Sequence, residues 1–449
     1  MNHNDSFRNN SRISIQPKHF SKEEIEQIHG LLSSKVADFL GLLTETEDIS
    51  MIDQKLNEIS EVIMDSVRYP SELFCFMQLF PACEILFKSN NPKFANDVII
   101  FFSMSLYSSK GLSLFLKDFI PDILIANEAY PSVLFHRRFF SFLTNFVHDL
   151  QIMEDFAFIN AFINEYLLKI LEYISNHDGF YKEELRFLYV ISSSITYETH
   201  PIIYEAFLDY LFSVLSECSQ NSESLNTVLW SLVANYQSNQ YPFTQYIHSK
   251  ELIRVVLNSF PLMDEGFIDC VEPCLSIILK FAQTLHDFSF IQADDILMIV
   301  HYSFSENRHI RLLSLKLIRI ISQQYSVEMI QMNIEKLFEN FENVEYELAE
   351  EIVRICITLL SSTPPQFFVD NQLYFQLLLT FLLSNISFSE SIIQNGVSCL
   401  MNIKEQLSIM GKLAMYDEIL AKHEGLLLEI LDQSNYDLIS GLIDQNNVQ

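Results

Sequence analysis

The sequence predicts an all-α chain built as a solenoid of small helical repeats. Three observations predict it: scarce glycine, a helical rhythm of apolar residues, and the return of that rhythm about every forty residues. Only 9 glycines occur in 449 residues, where average usage near 7% would give roughly 30. Sheet-rich and doubly wound folds need glycine for tight turns and phosphate loops, so an all-helical chain is the economical reading. Hydrophobic residues make up 49%, enough for most of the chain to fold rather than stay disordered. A chain this long exceeds what one compact core serves, which leaves several globular domains or an elongated stack of repeats.

Taken in chain order, residues 1–20 are polar and slightly basic (Arg8, Arg12 and Lys18 against Asp5). They lack periodicity and are expected to form a disordered arm. They also lack the apolar core of a secretory signal. Two Met/Phe-rich helices follow, around Met51–Val67 and Leu73–Phe87, as an irregular first repeat. Terminal repeats are atypical because they cap the core.

The regular part has a fixed form: a polar opening, about a dozen residues apolar at i, i+3, i+4 and i+7, a Ser/Asn-rich break, then a second apolar helix. The long helices read NDVIIFFSMSL from Asn96, FHRRFFSFLTNF from Phe135, EELRFLYVISSS from Glu183 and SLNTVLWSLVAN from Ser224. They continue as DCVEPCLSIILK from Asp269, HIRLLSLKLIRII from His309, LAEEIVRICITLL from Leu348 and IIQNGVSCLMNI from Ile392. One equivalent position in the first seven gives Phe101, Ser141, Leu188, Trp230, Glu272, Lys316 and Arg354, at spacings of 40, 47, 42, 42, 44 and 38.

A period of about 40–47 residues with helical punctuation marks armadillo and HEAT repeats. A two- or three-helix unit cannot bury its apolar stripe alone, so neighbours stack and share a continuous core. The expected architecture is a right-handed superhelix of about eight to ten such repeats. It occupies residues 21–444, with a short tail at 445–449. Pro92, Pro121, Pro131, Pro201, Pro261 and the Pro364–Pro365 pair fall near breaks, where proline starts a helix without losing a needed N–H. Pro273 stands early in a long helix, either in its first turn or where the phase is off by a few residues.

Composition narrows the function. The chain carries 28 Lys+Arg against 58 Asp+Glu, a net charge of −30. Such a surface repels nucleic acid and anionic membranes and favours basic protein partners, and it also keeps an elongated, Phe-rich chain soluble. The 38 Phe and 19 Tyr recur at helical spacing beside Leu and Ile, which marks core rather than a base-stacking platform. The uncharged stretch from Asn371 to Phe388 is interrupted by Gln, Asn and Ser and reads as a buried helix, not a membrane span. A soluble protein of cytoplasm or nucleus is expected.

Seven cysteines (Cys75, Cys83, Cys218, Cys270, Cys274, Cys356, Cys399) lie in apolar helices and read as buried free thiols. No phosphate-binding glycine loop, H-E-x-x-H or G-x-S-x-G motif occurs. His136, His148 and His301 read as surface or satisfied histidines, and the Glu350–Glu351 pair as a solvated helix face. No catalysis, cofactor or metal is expected.

The segment VLWSLVANYQSNQYPFTQYIHSKELIRVVL from Val228 resembles the long helix and following helices of an importin-α armadillo repeat. The ending YDEILAKHEGLLLEILDQSNYDLISGLID from Tyr416 resembles that family's terminal cap. The resemblance implies a concave face that receives an extended basic peptide. In the family, Trp-x-x-x-Asn pairs do this, with indoles flanking Lys and Arg stems and amides clamping the peptide backbone. In this chain no pair is intact. Phe101 is followed by Ser105, Ser141 by Asn145, Leu188 by Ser192, Trp230 by Ala234 with Asn235 next, Glu272 by Ser276, Lys316 by Ile320, and Arg354 by Thr358.

The candidate peptide-binding residues are therefore Phe101, Asn145, Ser192, Trp230, Asn235, Glu272, Lys316 and Arg354. Lys316 and Arg354 are expected to repel a basic ligand, and Glu272, Glu350 and Glu351 to attract one. Three basic residues in 1–20 do not reproduce the family's importin-β-binding segment, so importin-β is not an expected partner. The expected function is non-catalytic recognition of protein cargo for nuclear import, or an armadillo scaffold or regulatory subunit without a transport role.

Overall fold

A computed structural model of the chain describes residues 21–45, 48–65, 77–108, 110–130, 132–176, 181–218, 221–259, 267–285, 290–331, 334–338, 345–364, 366, 373–382, 388–415 and 418–419. The expected N-terminal arm, the start of the second helix at Leu73, nearly all of the segment from Tyr416 and the 445–449 tail lie outside these residues. Every regular element among the described residues is helical.

The helices are α1 Lys22–Glu45, α2 Ile49–Asp65, α3 Phe80–Lys88, α4 Pro92–Ser108, α5 Ser113–Leu116, α6 Ile120–Ala129 and α7 Val133–Ile152. Next come α8 Phe156–Phe162, α9 Leu168–Ser175, α10 Lys182–Ser192, α11 Pro201–Glu217, α12 Ser222–Ser238, α13 Gln240–Ser249 and α14 Ile253–Leu257. The last are α15 Ile268–Leu285, α16 Ala293–Tyr302, α17 Arg308–Ile321, α18 Ser326–Gln331, α19 Tyr346–Ser362, α20 Leu373–Leu382 and α21 Glu390–Ile409.

Local chemistry explains the boundaries. Ser21 and Glu24 exchange backbone and side-chain hydrogen bonds (2.7 and 3.2 Å) in a capping box that opens α1. Pro92 and Pro201 are the first residues of α4 and α11, where proline has no N–H to lose. Pro273 is different. It is the sixth residue of α15, beyond the first turn, so the helix begins earlier than its proline suggested and forgoes one internal hydrogen bond.

Three helices end in a shared motif. After α7, Asp155 N donates to Leu150 O (3.1 Å) and Glu154 N to Gln151 O (3.2 Å); the same pair of bonds follows α13 at Glu251 and α21 at Gly411. The turning residue is left-handed, with φ of 57° at Glu154, 54° at Glu251 and 69° at Gly411. Left-handed backbone costs a residue with a Cβ about 1–2 kcal/mol. Glu154→Gly is therefore expected to stabilise the chain by about 0.5–1 kcal/mol, the relieved strain less the extra freedom of glycine when unfolded. A urea midpoint that falls instead of rising would contradict this.

Contacts divide the chain into two compact units, residues 1–211 with 230–239, and residues 212–229 with 240–449. In the first unit α1 packs on α2, α2 on α4, α4 on α7, and α7 on α10. In the second, α15 packs on α17, α17 on α19, and α19 on α21, while α16 packs on α17, and α18 and α20 on α19. Within each unit a long helix meets the long helix before it and the one after it, which is the packing rule of a solenoid. Side-chain hydrogen bonds record the same period. Asn57–Asp97, Arg138–Asn96, Asn145–Ser103 and Arg308–Glu347 join residues 40, 42, 42 and 39 apart.

The core of the first unit is aromatic. Phe101, Phe102, Phe139, Phe140, Phe142, Phe146, Phe162 and Phe187 are fully buried. The Phe102 ring meets Phe119 at 5.1 Å and Phe80 at 5.8 Å, both edge to face. In the second unit the aliphatic rows of α15, α17, α19 and α21 do the same work, with Cys274, Cys356 and Cys399 among them. Burial pushes the Cys218 and Cys399 thiols up to about 11, so they stay protonated and behave as apolar filler.

Candidate functional site

The candidate site is the exposed edge of the long helices, because one helix face packs inward and only the opposite strip meets solvent. In the first unit that strip is tied together by polar rungs between neighbouring helices. Arg137 of α7 holds Glu183 of α10 through two bonds, Nε–Oε2 at 3.0 Å and Nη2–Oε1 at 2.8 Å. Arg138 donates to Asn96 of α4 at 2.6 Å. Gln151 donates to Val190 O and Ser194 Oγ, both at 2.9 Å.

The predicted site residues of this unit join the same system. Phe101 is fully buried in the aromatic core. Asn145 is half-buried and donates to Ser103 Oγ at 3.0 Å. Ser192 is buried, its hydroxyl turned back to Leu188 O at 2.6 Å. Asn235 is buried, and its amide donates to Ser192 O (3.2 Å) and Ile195 O (3.3 Å). Asn239 and Ser238 add bonds to Ile195 O (2.8 Å) and Ser193 O (2.8 Å). Ser192 O and Ser193 O are carbonyls that the end of α10 leaves without helical partners, and Ile195 O lies just beyond it. Asn235 and Ser238 of α12, with Asn239 just after it, therefore tie down the end of α10 and the turn beyond, and this brings Ser192 and Asn235 together. Trp230 lies half-buried on α12.

Sequence reasoning missed the buried polar centre between α7 and α10. His136, 2% exposed, meets Glu184 through Nε2 and Tyr173 Oη at 3.0 Å through Nδ1. The other Glu184 oxygen accepts the Tyr181 N–H at 2.8 Å. His136 is a satisfied core histidine, while His148 and His301 are exposed. A second missed anchor is Asp149, buried on α7, which accepts Gly111 N–H (2.9 Å) and Ser113 N–H (3.0 Å) and holds the turn that leads into α5.

In the second unit Glu272, Lys316 and Arg354 are each half-buried, on α15, α17 and α19. Glu351 overturns the expectation of a solvated acidic pair. It is 1% exposed and accepts Arg319 Nε at 2.5 Å and Arg354 Nη1 at 3.2 Å. Burial works against ionisation of Glu350, but hydrogen bonds from Tyr346 Oη (2.8 Å) and Ser389 and the nearby Arg354 charge hold its carboxyl below the usual range. Arg354 faces both carboxylates, donating to Glu351 at 3.2 Å and to Glu350 at 3.4 Å. The period could not foresee this, because Glu351 meets Arg319 from the preceding long helix, α17, and helix packing alone decides which side of α19 is covered.

Beside this cluster a cleft of about 450 Å³ opens, lined by Arg319, Arg354, Thr358, Asn395, Ser398 and Asn402 among others. Ile357, Ile392 and Cys399 supply apolar wall. Sequence reasoning had singled out only Arg354 of these. Among the described residues no group of three or more His, Cys, Asp or Glu side chains is placed to hold a metal ion. No helix among them is long and apolar enough to cross a membrane.

Fold and edge together define a helical-repeat solenoid. No family model matches the chain, and no curated protein matches it. Among solved structures, the crystal structure of an engineered protein is similar with a TM-score of 0.57 and 15% identity, covering 91% of this chain and 98% of that one. That likeness concerns the fold alone. Weaker likenesses are to importin β (TM-score 0.48, 12% identity, 93% of this chain and 56% of that one) and to the Kap95:Nup1 complex (TM-score 0.45, 12% identity, 95% and 61%). At such scores they carry no argument.

Proposed function

We propose that this chain is a non-catalytic protein-binding solenoid over residues 21–444, an importin-α-like adaptor that holds an extended segment of a cargo protein along its long-helix edge. The observation that carries the reading is the row of polar side chains on that edge, repeated one period apart on successive long helices. Half-buried Trp230 is the aromatic contribution to a basic segment.

A second reading, an armadillo scaffold with no transport role, has its own support. The amides of Asn145 and Asn235 are committed to Ser103, Ser192 and Ile195, so neither is ready to clamp a peptide backbone as importin-α asparagines do.

Titration of a fluorescent Lys/Arg-rich nuclear-localisation peptide at physiological salt, followed by anisotropy, separates the two. The adaptor reading expects a micromolar or tighter Kd that Trp230→Ala weakens by about 1–3 kcal/mol. No saturable binding to a well-folded sample would discard the cargo and leave the scaffold.

A further inference from the structure

We propose that the cleft between α17, α19 and α21 binds an extended acidic segment of a partner protein, with a single Asp or Glu carboxylate seated between Arg319 and Arg354. The inference rests only on the protein-binding half of the reading above and does not need the cargo to be basic.

Its lining is the first ground. Among the described residues, two guanidiniums and no carboxylate line the cleft, in a chain whose net charge is −30. Arg319 uses only Nε on Glu351, and its two terminal amino groups donate to no acceptor among the described residues. Guanidinium N–H groups in a fixed fork suit a carboxylate held through two parallel bonds.

Charge sets the ligand's size. Arg319 and Arg354, half-buried on α17 and α19, are backed by Glu350 and Glu351. Two positive and two negative groups leave this cluster neutral, so it accommodates a monoanionic carboxylate at less cost than a phosphate dianion.

The rest of the wall fits a peptide rather than a small free anion. Asn395 and Asn402, two turns apart on α21, are exposed, and their amides have no partner among the described residues. This is the opposite of Asn145 and Asn235, whose amides are committed to the fold. With the Ser398 hydroxyl they offer a row of donors and acceptors to a main chain. Ile357 and Ile392 offer an apolar wall to a neighbouring side chain.

The test is anisotropy with the full chain and a labelled six-residue peptide of alternating Glu and Leu, blocked at both ends. Versions with Gln, Lys or phosphoserine in place of Glu serve as comparisons. The expected result is saturable binding that weakens with salt, at least tenfold tighter than the Gln or Lys peptide. Ser398→Glu, at an exposed position, is expected to weaken it at least tenfold with unchanged thermal unfolding. Arg319→Gln should do likewise, and Ser398→Glu keeps the test decisive if Arg319→Gln destabilises the fold. Equal binding of the Glu and Gln peptides, or indifference to Ser398→Glu, overturns the proposal. A phosphoserine peptide that binds tenfold tighter than the Glu peptide overturns the choice of a carboxylate. The nuclear-localisation peptide with Trp230→Ala reports separately on the adaptor reading, so the two failures are distinguishable.

Discussion

Phe102→Ala is expected to destabilise the chain by about 3–5 kcal/mol, the range for removing a buried aromatic ring and leaving a cavity. The ring is fully buried and surrounded by Phe80, Phe87, Phe101, Phe119 and Phe142 at centroid distances of 5.1–6.3 Å. Most of these are themselves stacked between α3, α4 and α7, so none can swing into the void without opening another. Phe102→Leu keeps most of the volume and should cost about 1.5 kcal/mol or less. Repeat stacks lose two-state behaviour as cooperativity breaks down, so the measurement is the midpoint of the earliest urea transition by circular dichroism. An alanine variant within 1 kcal/mol of the parent would mean that this aromatic cluster is not close-packed.

The second large effect belongs to Glu184. It is fully buried, with one oxygen on His136 and the other on the Tyr181 N–H that opens α10. Glu184→Ala removes both acceptors at once. The substitution leaves the His136 Nε2 and the Tyr181 N–H without their acceptor, at about 1–3 kcal/mol each. About 3 kcal/mol is therefore expected. Glu184→Gln retains a carbonyl oxygen for one donor and should recover at least half of that. If the Ala and Gln variants unfold at the same temperature, the hydrogen bonds are not what this carboxylate contributes.

Both effects sit in the interval between α7 and its neighbours, and they differ in how far the sequence foretold them. Phe102 was legible: it stands in an apolar run at helical spacing, and that pattern says core without naming the partners. Glu184 was not. In EELRFLYVISSS it is one of two acids at a helix start, where a solvated first turn is the ordinary reading. Glu183 fits that reading in part, pairing with the half-exposed Arg137. Its neighbour turns inward because α7 brings His136 to that spot from 48 residues away.

The candidate site divides in the same manner. The period marked positions on successive long helices, and the hydrogen bonds between residues about forty apart lie along it. Whether a given asparagine would be open to a ligand was beyond the sequence. Asn145 and Asn235 are drawn to a serine and to the loose carbonyls of α10, while Asn395 and Asn402 meet no such partner among the described residues. Each is an asparagine inside a long helix, and their sequence contexts do not separate them.

By itself, then, the sequence determined helix, period and inward face. Those depend on interactions within a few residues: the i, i+3, i+4 stripe, proline at first turns, and glycine too scarce for other folds. Tertiary structure alone decided which polar groups are committed to the fold and which are offered outward. That outcome depends on what a neighbouring repeat places opposite each side chain, and on the high cost of leaving a buried donor or acceptor unmet. The carboxylate of Glu351 is buried between two arginines, and the amides of Asn395 and Asn402 are left exposed, for that one reason.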